Sequence, residues 1–297
     1  MKYIQSSTPI ICVDSFIEMA DIVLPECDRP SKKYSNKTKV IFVSISHLNN
    51  YIPYLLSLTF DYILITGGND DWCMPYFYFP PTESDKSLHD SLLEHPRLIK
   101  WYSKNICISH PKLVAIPLGP KMQWDSHEFF GEDKTSMMQV YSKHCLQPQH
   151  AFQSEKPNLL YLNMTNTTND PFFREHSGIR VKTLELLSSK DYKILPNVPF
   201  EKYIETLKSY KFSVSPPGRG IDSHRTWESL MVGTIPICIS TPIDPVYEDL
   251  PVLIVKDYSE INDEFLNQKY EEIINKTYNF TKLYTAYWEK LISETVS

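Results

Sequence analysis

The chain has 297 residues, of which 42% are hydrophobic and 13% aromatic, enough for one large core or two medium ones. Its formal net charge of −6 excludes a broad basic surface, so nucleic acid is not expected as a partner. The six cysteines form no CxxC pair and no zinc-binding pattern, so free thiols in a reducing compartment are expected.

The first half of the chain alternates short apolar runs with polar stretches. These β-branched, nearly continuous runs predict buried strands of a parallel sheet. The predicted strands span 9–15, 39–45, 62–68, 105–109 and 113–119. A helix is predicted over 89–104, and the weakly patterned residues 125–156 predict a domain junction.

The second half repeats the alternation of strands and helices. Its predicted strands span 158–165, 192–196, 211–215, 234–240 and 251–257. Its predicted helices span 179–189, 199–210, about 223–232 and the aromatic tail 265–293. The sequence therefore predicts two doubly wound α/β halves with a ligand cleft between them.

The stretch "FSVSPPGRGIDSHRTWESLMVGTIPICIS" (212–240) carries three of the eight glycines. A strand, a glycine loop and a helix N-terminus form an arrangement that binds phosphate through backbone N–H groups and the helix dipole. Asp222 or Ser223 is the expected N-cap, and Gly233 the expected C-terminal glycine.

Two arginines and a glutamate give this loop its expected chemistry. Arg219 and Arg225 can add charge-assisted hydrogen bonds to a diphosphate, and Glu228 is placed to accept the two hydroxyls of a ribose. The alternative is an ordinary surface loop with an exposed Arg225–Glu228 ion pair. The chain has no GxxxxGKS motif and no GxGxxG after its first predicted strand, which excludes simple ATPases and dehydrogenases.

The order of these segments resembles that of exostosin-like glycosyltransferases. The matching segments are "FSVSPPGRG", "HRTWESL" and "GTIPICIS", together with residues 101–120, 159–176 and 250–261. The likeness covers roughly the last two-thirds of the chain. It implies a GT-B fold, a UDP-sugar donor, an oligosaccharide or glycoprotein glycan as acceptor, and no cofactor or obligatory metal.

The resemblance also implies a domain division. Residues 1–150 would form the acceptor-side Rossmann-like domain, to which the last helix (268–297) returns, and residues 151–267 would bind the nucleotide sugar. Most members of the family are anchored in the Golgi membrane. This sequence shows no anchor or signal peptide, so a cytoplasmic location is expected. Short soluble relatives in algae and large algal viruses include a xylosyltransferase, which makes xylose the expected sugar.

The family motif assigns a set of expected donor-binding residues in the second half. They are Asn163, Thr165, Asn166, Arg174, Arg180, Pro196, Phe200, Ser215, Gly218, Arg219, Gly220, His224, Arg225 and Glu228. Each of Arg174 and Arg180 can also be a surface charge. Leu195, Pro196, Val198 and Phe200 form the expected apolar wall of the uracil pocket, or plain core packing.

Inverting transfer needs a base that takes the proton of the acceptor hydroxyl. The run "YILITGGNDDWCMPYFYFPP" (62–81) brings Asp70 and Asp71 to the end of a predicted strand, with Asp71 the first choice. Trp72 and Tyr76 can stack on sugar rings. His47 is the third candidate. The alternatives are an ordinary polar turn and a solvated histidine.

Two other functions remain open from the sequence. One is a nucleotide-sugar or glycan-binding protein without catalytic activity, in which Asp70 and Asp71 would be dispensable. The other is a different enzyme of the same fold, such as a sugar epimerase, which would form product without an acceptor.

Overall fold

The protein is built around two parallel β-sheets. The computed structural model describes residues 10–25, 37–68, 83–121, 137–145, 147–164, 178–218 and 220–296. The first sheet contains β1 (Ile22–Leu24), β2 (Lys39–Ser44), β3 (Tyr62–Gly67), β4 (Leu98–Ser103) and β5 (Leu113–Ala115). The second contains β6 (Asn158–Tyr161), β7 (Tyr210–Val214), β8 (Ile235–Ile239) and β9 (Leu253–Val255). The predicted α/β class is confirmed.

Ten α-helices are described around these sheets. They are α1 (Val13–Glu18), α2 (Leu48–Leu56), α3 (Glu83–Glu94), α4 (Met137–His144), α5 (Pro148–Phe152), α6 (Ile179–Ser188), α7 (Phe200–Leu207), α8 (His224–Met231), α9 (Asp263–Ile274) and α10 (Thr285–Val296). None of the described helices combines the length and apolar character that crossing a bilayer requires.

The first sheet runs in the order β1-β2-β3-β4-β5 and is buried on both faces. Successive side chains of a strand point to opposite faces. Phe42 therefore belongs to one core with Phe16 of α1 and Trp288 of α10, whereas Val43 belongs to another with Ile52 of α2. Burial on both faces explains the continuous apolar runs of these strands.

The second sheet runs in the order β6-β7-β8-β9. The ring of Phe212 in β7 packs edge-on against Tyr270 of α9, and Ser213 shares a hydrogen bond of 2.7 Å with Ser229 of α8. The segment 192–199 also lies beside β6, because Leu195 N–H donates to the Leu162 carbonyl at 2.8 Å. The carboxyl end of β6 thus lies near this segment, and in α/β sheets ligands bind outside the carboxyl ends of the strands. Two Rossmann-like units give the predicted GT-B arrangement.

Several predicted elements of the first half are wrong. Of the strand predicted over 9–15, the described residues 10–15 do not form one, because α1 begins at Val13 after Cys12 N–H donates to Ser15 Oγ at 3.2 Å. The helix predicted over 89–104 ends at Glu94, before Pro96, and residues 98–103 form strand β4. Residues 105–109 are not a strand, because β4 already occupies that place in the sheet.

Two predictions in the second half also need correction. Residues 192–196 run beside β6 but do not form a regular strand. The tail is not one helix over 265–293, because a 3₁₀ helix at Phe280–Leu283 separates α9 from α10.

The last helix contacts the first half of the chain. Tyr102 of β4 shares a hydrogen bond of 2.7 Å with Thr295 of α10, and the rings of Phe16 and Trp288 meet edge to face. Ile11 N–H also donates to the Leu283 carbonyl at 2.9 Å. The division of the chain at residue 150 stays a prediction.

Candidate active site

A cavity of about 450 Å³ lies at the carboxyl end of the second sheet, where the first half contacts it. Its volume is within the range of small-molecule sites. Two lining residues, Leu118 and Lys121, come from the first half. The others are Tyr161, Asn163, Arg180, Asn197, Val198, Phe200, Tyr203, Gly218, Gly220, Asp222, Ser223, His224, Arg225 and Glu228.

The glycine loop forms one wall of this cavity. Gly218 N–H donates to the Gly220 carbonyl at 3.0 Å, which closes a tight turn after β7. Arg180 Nε donates to the Pro217 carbonyl at 3.0 Å, and its guanidinium lies so close to Gly218 that a Cβ there would collide with it. Glycine at 218 therefore makes room for an arginine at the cavity wall.

Arg180 and Arg225 bring two positive charges to the cavity. Burial and the nearby charge of Arg225 lower the pKa of Arg180 to about 10. Arg225 lies in the first turn of α8, and among the described residues no carboxylate forms an ion pair with it and its buried Nε has no hydrogen-bond partner. Two clustered guanidinium groups at a helix N-terminus favour an anion.

Asp222 joins the helix start to the first half of the chain. Its carboxylate accepts hydrogen bonds from Leu118 N–H (2.8 Å), Trp227 Nε1 (2.7 Å), Tyr247 Oη (2.8 Å) and Ser223 N–H (2.8 Å). Burial raises the pKa of Asp222, and these hydrogen bonds act in the opposite direction. Ser223 is the N-cap residue by position, but its side chain makes no capping hydrogen bond. Asp222 is thus an anchor and not the cap.

Glu228 is the second buried carboxylate of the site, with only 5% of the residue exposed. It accepts hydrogen bonds from Tyr203 Oη (2.7 Å), Tyr141 Oη (3.3 Å) and Lys121 N–H (3.3 Å). Burial and the charge of Glu228 raise the pKa of both tyrosines well above the usual value, so both remain donors at neutral pH. The alternative of an exposed Arg225–Glu228 ion pair is wrong.

The helix α8 is fixed at both ends by close contacts. At its start, His224 Nδ1 donates to the Gly119 carbonyl of the first half at 2.8 Å. At its end, Gly233 has a φ of +71°, and a Cβ there would run into the backbone of Ala151 and Phe152 in α5. Only glycine suits both the left-handed conformation and this close approach.

Part of the cavity lining carries no charge. It contains Asn163, Val198 and Phe200, all of which line the cavity. Asn163 Nδ2 donates to the Leu195 carbonyl at 2.7 Å, which holds the segment 192–199 against β6. Pro196 is exposed and does not line the cavity, whereas its neighbours Asn197 and Val198 do.

The structure brings together most of the predicted donor-site residues that it describes. Those lining the cavity are Asn163, Arg180, Phe200, Gly218, Gly220, His224, Arg225 and Glu228. Ser215 does not line it, because its hydroxyl is buried against Thr226 Oγ1 at 2.8 Å. His47 is exposed after β2 and is also not among the lining residues.

Eight predicted residues lie outside the described part of the chain. They are Asp70, Asp71, Trp72, Tyr76, Thr165, Asn166, Arg174 and Arg219. Their roles stay predictions.

Sequence reasoning missed Lys121, Tyr141, Tyr161 and Tyr203 as parts of the site. Tyr203 carried a usable signal, because it lies three residues after Phe200 on the apolar face of α7. Lys121 and Tyr141 carried none, because they meet Glu228 across 107 and 87 residues of sequence.

Comparisons with known proteins give distant structural similarities. An OtsA apo structure covers 89% of this chain and 74% of its own, at 7% identity and a TM-score of 0.43. A trehalose 6-phosphate synthase from Burkholderia multivorans covers 88% and 72%, at 10% identity and a TM-score of 0.39. A UDP-GlcNAc 2-epimerase from Methanocaldococcus jannaschii, with UDP-GlcNAc and UDP bound, covers 85% and 74%, at 12% identity and a TM-score of 0.34. Since every TM-score is below 0.5, these similarities carry no functional inference. No protein-family model and no curated protein matches the chain.

Proposed function

We propose that this protein is a glycosyltransferase that moves a sugar from a UDP-sugar to a hydroxyl group of a glycan acceptor. The convergence of Arg180 and Arg225 on the glycine loop and the start of α8 carries this proposal. A diphosphate supplies a negative charge for these two guanidinium groups, and an acceptor for the buried Arg225 Nε, which has no hydrogen-bond partner among the described residues.

The lining of the cavity suggests one orientation for the proposed donor. The diphosphate would lie against Gly218, Gly220 and the arginines, and the uracil against Val198 and Phe200. Glu228 would accept from the ribose. A carboxylate offers about four acceptor positions, and Tyr203 Oη and Lys121 N–H use two of them. Tyr141 Oη competes for a third, although its single proton is shared with the nearer Lys121 carbonyl at 2.9 Å, so one ribose hydroxyl rather than two is expected to bind Glu228.

We further propose that transfer inverts the anomeric carbon and needs no metal ion. The leaving UDP develops negative charge on its diphosphate, and a helix N-terminus with two guanidinium groups would stabilise that charge. Asp71 is the proposed base, with Asp70 and His47 as the other candidates. Xylose is the proposed sugar, on the sequence resemblance alone.

The test is a UDP-release assay on the full chain, with a panel of UDP-sugars and glycan acceptors. We expect UDP release with one donor, dependent on an acceptor and unchanged by a chelator. Arg225→Ala should lower UDP affinity about tenfold or more, because it removes a charge-assisted contact. Arg97→Ala is the matched control, since this half-exposed arginine pairs with Asp61 far from the cavity.

Three results would contradict the proposal in different ways. UDP binding without turnover under any acceptor would indicate a binding protein. Product formation without an acceptor would indicate an epimerase. Equal UDP affinity of the wild type and Arg225→Ala would show that Arg225 does not bind the diphosphate, and would contradict the proposed anion site.

A further inference from the structure

A second group of polar side chains lies where α4 packs against α7, outside the cavity described above. His144 is in the last turn of α4, and Glu201 and Glu205 are four residues apart on α7. Residues at this spacing share one face of a helix. A nitrogen donor and two carboxylates from different helices therefore meet at one point, and none of the three lines the candidate active site.

The distances between these atoms are those of a metal-binding group. His144 Nε2 lies 3.2 Å from Glu201 Oε1 and 3.9 Å from Glu205 Oε1, and all three atoms are within 4.8 Å of one another. Zinc bonds of 2.0–2.2 Å in a tetrahedron separate neighbouring ligand atoms by roughly 3.4 Å. Small side-chain rotations would bring both carboxylates to that separation.

The three side chains differ in exposure. Only 13% of the His144 side chain is exposed, so its ring is already oriented by the packing of α4 on α7. The side chains of Glu201 and Glu205 are 32% and 40% exposed, which leaves a path for an ion and for a water molecule as fourth ligand. Histidine nitrogen and carboxylate oxygen are both ligands of Zn²⁺, and a water molecule would complete the tetrahedron.

We propose that His144, Glu201 and Glu205 form a binding site for a divalent transition metal, with Zn²⁺ as the ion of best fit. The site would be structural and independent of the proposed transfer reaction. Its ion would link α4 to α7, the helices that carry Tyr141 and Tyr203 to Glu228. Metal binding would thereby steady one wall of the cavity without touching the donor.

Two lysines compete with the ion for the carboxylates. Lys143 Nζ lies 2.6 Å from Glu201 Oε1, and Lys202 Nζ lies 3.4 Å from Glu205 Oε2. Both lysine side chains are well exposed, so an ion can displace them at little cost in packing. His144 donates its Nε2 proton to Glu201 in the metal-free state, and must give it up before Nε2 can bind a metal.

The test is calorimetric titration of the metal-free full chain with ZnCl₂. We expect one site per chain, with proton release. His144→Ala should abolish this binding. Glu205→Gln keeps the shape of an exposed side chain but removes a charged ligand. Loss of a residue that only hydrogen-bonds a metal ligand typically weakens metal binding ~10–100-fold, and Glu205→Gln should weaken zinc binding by more than that. Lys143→Met should strengthen it, because a competing cation is removed.

His150→Ala is the matched control, because His150 is an exposed histidine on α5 outside the group. It should leave zinc binding unchanged. Thermal unfolding with Zn²⁺ and with chelator checks that each variant folds, and should show a zinc-dependent rise in Tm only where binding persists. An absence of zinc binding by the wild type, or equal binding by Glu205→Gln and the wild type, would overturn the proposal.

Discussion

The start of α8 in the second sheet's unit and the turn after β2 in the first sheet's unit hold their polar side chains in opposite ways. Around the start of α8, Asp222 and Glu228 are 3% and 5% exposed and accept hydrogen bonds from several fixed donors. In the turn after β2, Ser46 and His47 are exposed and bond only within the turn, with Ser46 Oγ 3.0 Å from Ser44 Oγ and 3.1 Å from His47 Nδ1. The start of α8 is fixed by tertiary structure, and the turn after β2 is solvated.

This difference indicates two kinds of binding surface. Buried carboxylates with several donors hold their geometry without a ligand, because moving them would leave donors unpaired. Exposed side chains can change rotamer at little cost. Under the proposed function, the start of α8 is preorganised for a constant nucleotide, and the turn after β2 can adapt to a glycan acceptor.

Replacing the buried anchor should have the largest effect. Asp222→Ala would leave Leu118 N–H, Trp227 Nε1 and Tyr247 Oη without an acceptor in a buried place. We expect a loss of about 3–5 kcal/mol in the free energy of unfolding, measured by urea denaturation. His47→Ala, in the exposed turn after β2, should change it by less than about 0.5 kcal/mol. Similar losses of unfolding free energy in Asp222→Ala and His47→Ala would contradict the difference between the start of α8 and the turn after β2.

Replacing the glycine after β3 should lower stability, whereas replacing the glycine after β7 should lower UDP affinity. Gly68 has a φ of +100°, so Gly68→Ala should cost about 1–3 kcal/mol of stability through backbone strain. The Cβ of Gly218→Ala would meet only the flexible end of Arg180, so stability should change little. Displacement of that arginine should instead lower UDP affinity about tenfold, measured by calorimetry. If Gly218→Ala bound UDP as tightly as the wild type, Arg180 would not be part of the anion site.

Strands with local signals were predictable from the sequence. β2, β3, β7 and β8 are short β-branched runs bounded by turn residues, and the structure confirms each within about two residues. Residues 9–15 look the same by composition. They differ because Ile11 pairs with the carbonyl of Leu283 in the distant tail, and no local pattern reports such a contact.

The residues of the candidate site also divide into those that local sequence predicts and those that only long-range packing brings in. The glycine loop, Arg225 and Glu228 lie within one strand–loop–helix unit, so their proximity follows from the local sequence. Lys121 and Tyr141 reach Glu228 only through the packing of the two halves and of α4 on α7. The sequence therefore predicted the charges of the site, but not the tyrosine hydroxyls that fix its carboxylate.

Neutralising Glu228 should have a smaller effect than losing Asp222. Glu228→Gln keeps the size of the side chain, and tyrosine hydroxyls can rotate to accept as well as donate. We expect a modest loss of stability and an approximately tenfold loss of UDP affinity, since a charged acceptor for the ribose is lost. Glu271→Gln, on the exposed face of α9, is the control and should bind UDP normally. Unchanged affinity in Glu228→Gln would exclude the ribose contact.

The smallest expected effect is a pH dependence that separates buried from exposed carboxylates. Hydrogen bonds and charges from Lys143 and His144 lower the pKa of Glu201 below its usual value of 4.5. Its contribution to stability is therefore present above that value and is lost as the pH falls through the lower folded-state pKa. Burial raises the pKa of Asp222, so its contribution has the opposite sign and declines as the pH rises through the folded-state pKa.

The measurement is the urea midpoint of unfolding, taken with chelator from pH 7 to about pH 3. The midpoint of Glu201→Gln should lie slightly below that of the wild type at neutral pH and equal it in acid. If the difference between the two midpoints grew as the pH fell, burial would dominate the pKa of Glu201 as it does that of Asp222. The two carboxylates would then not differ in the way proposed here.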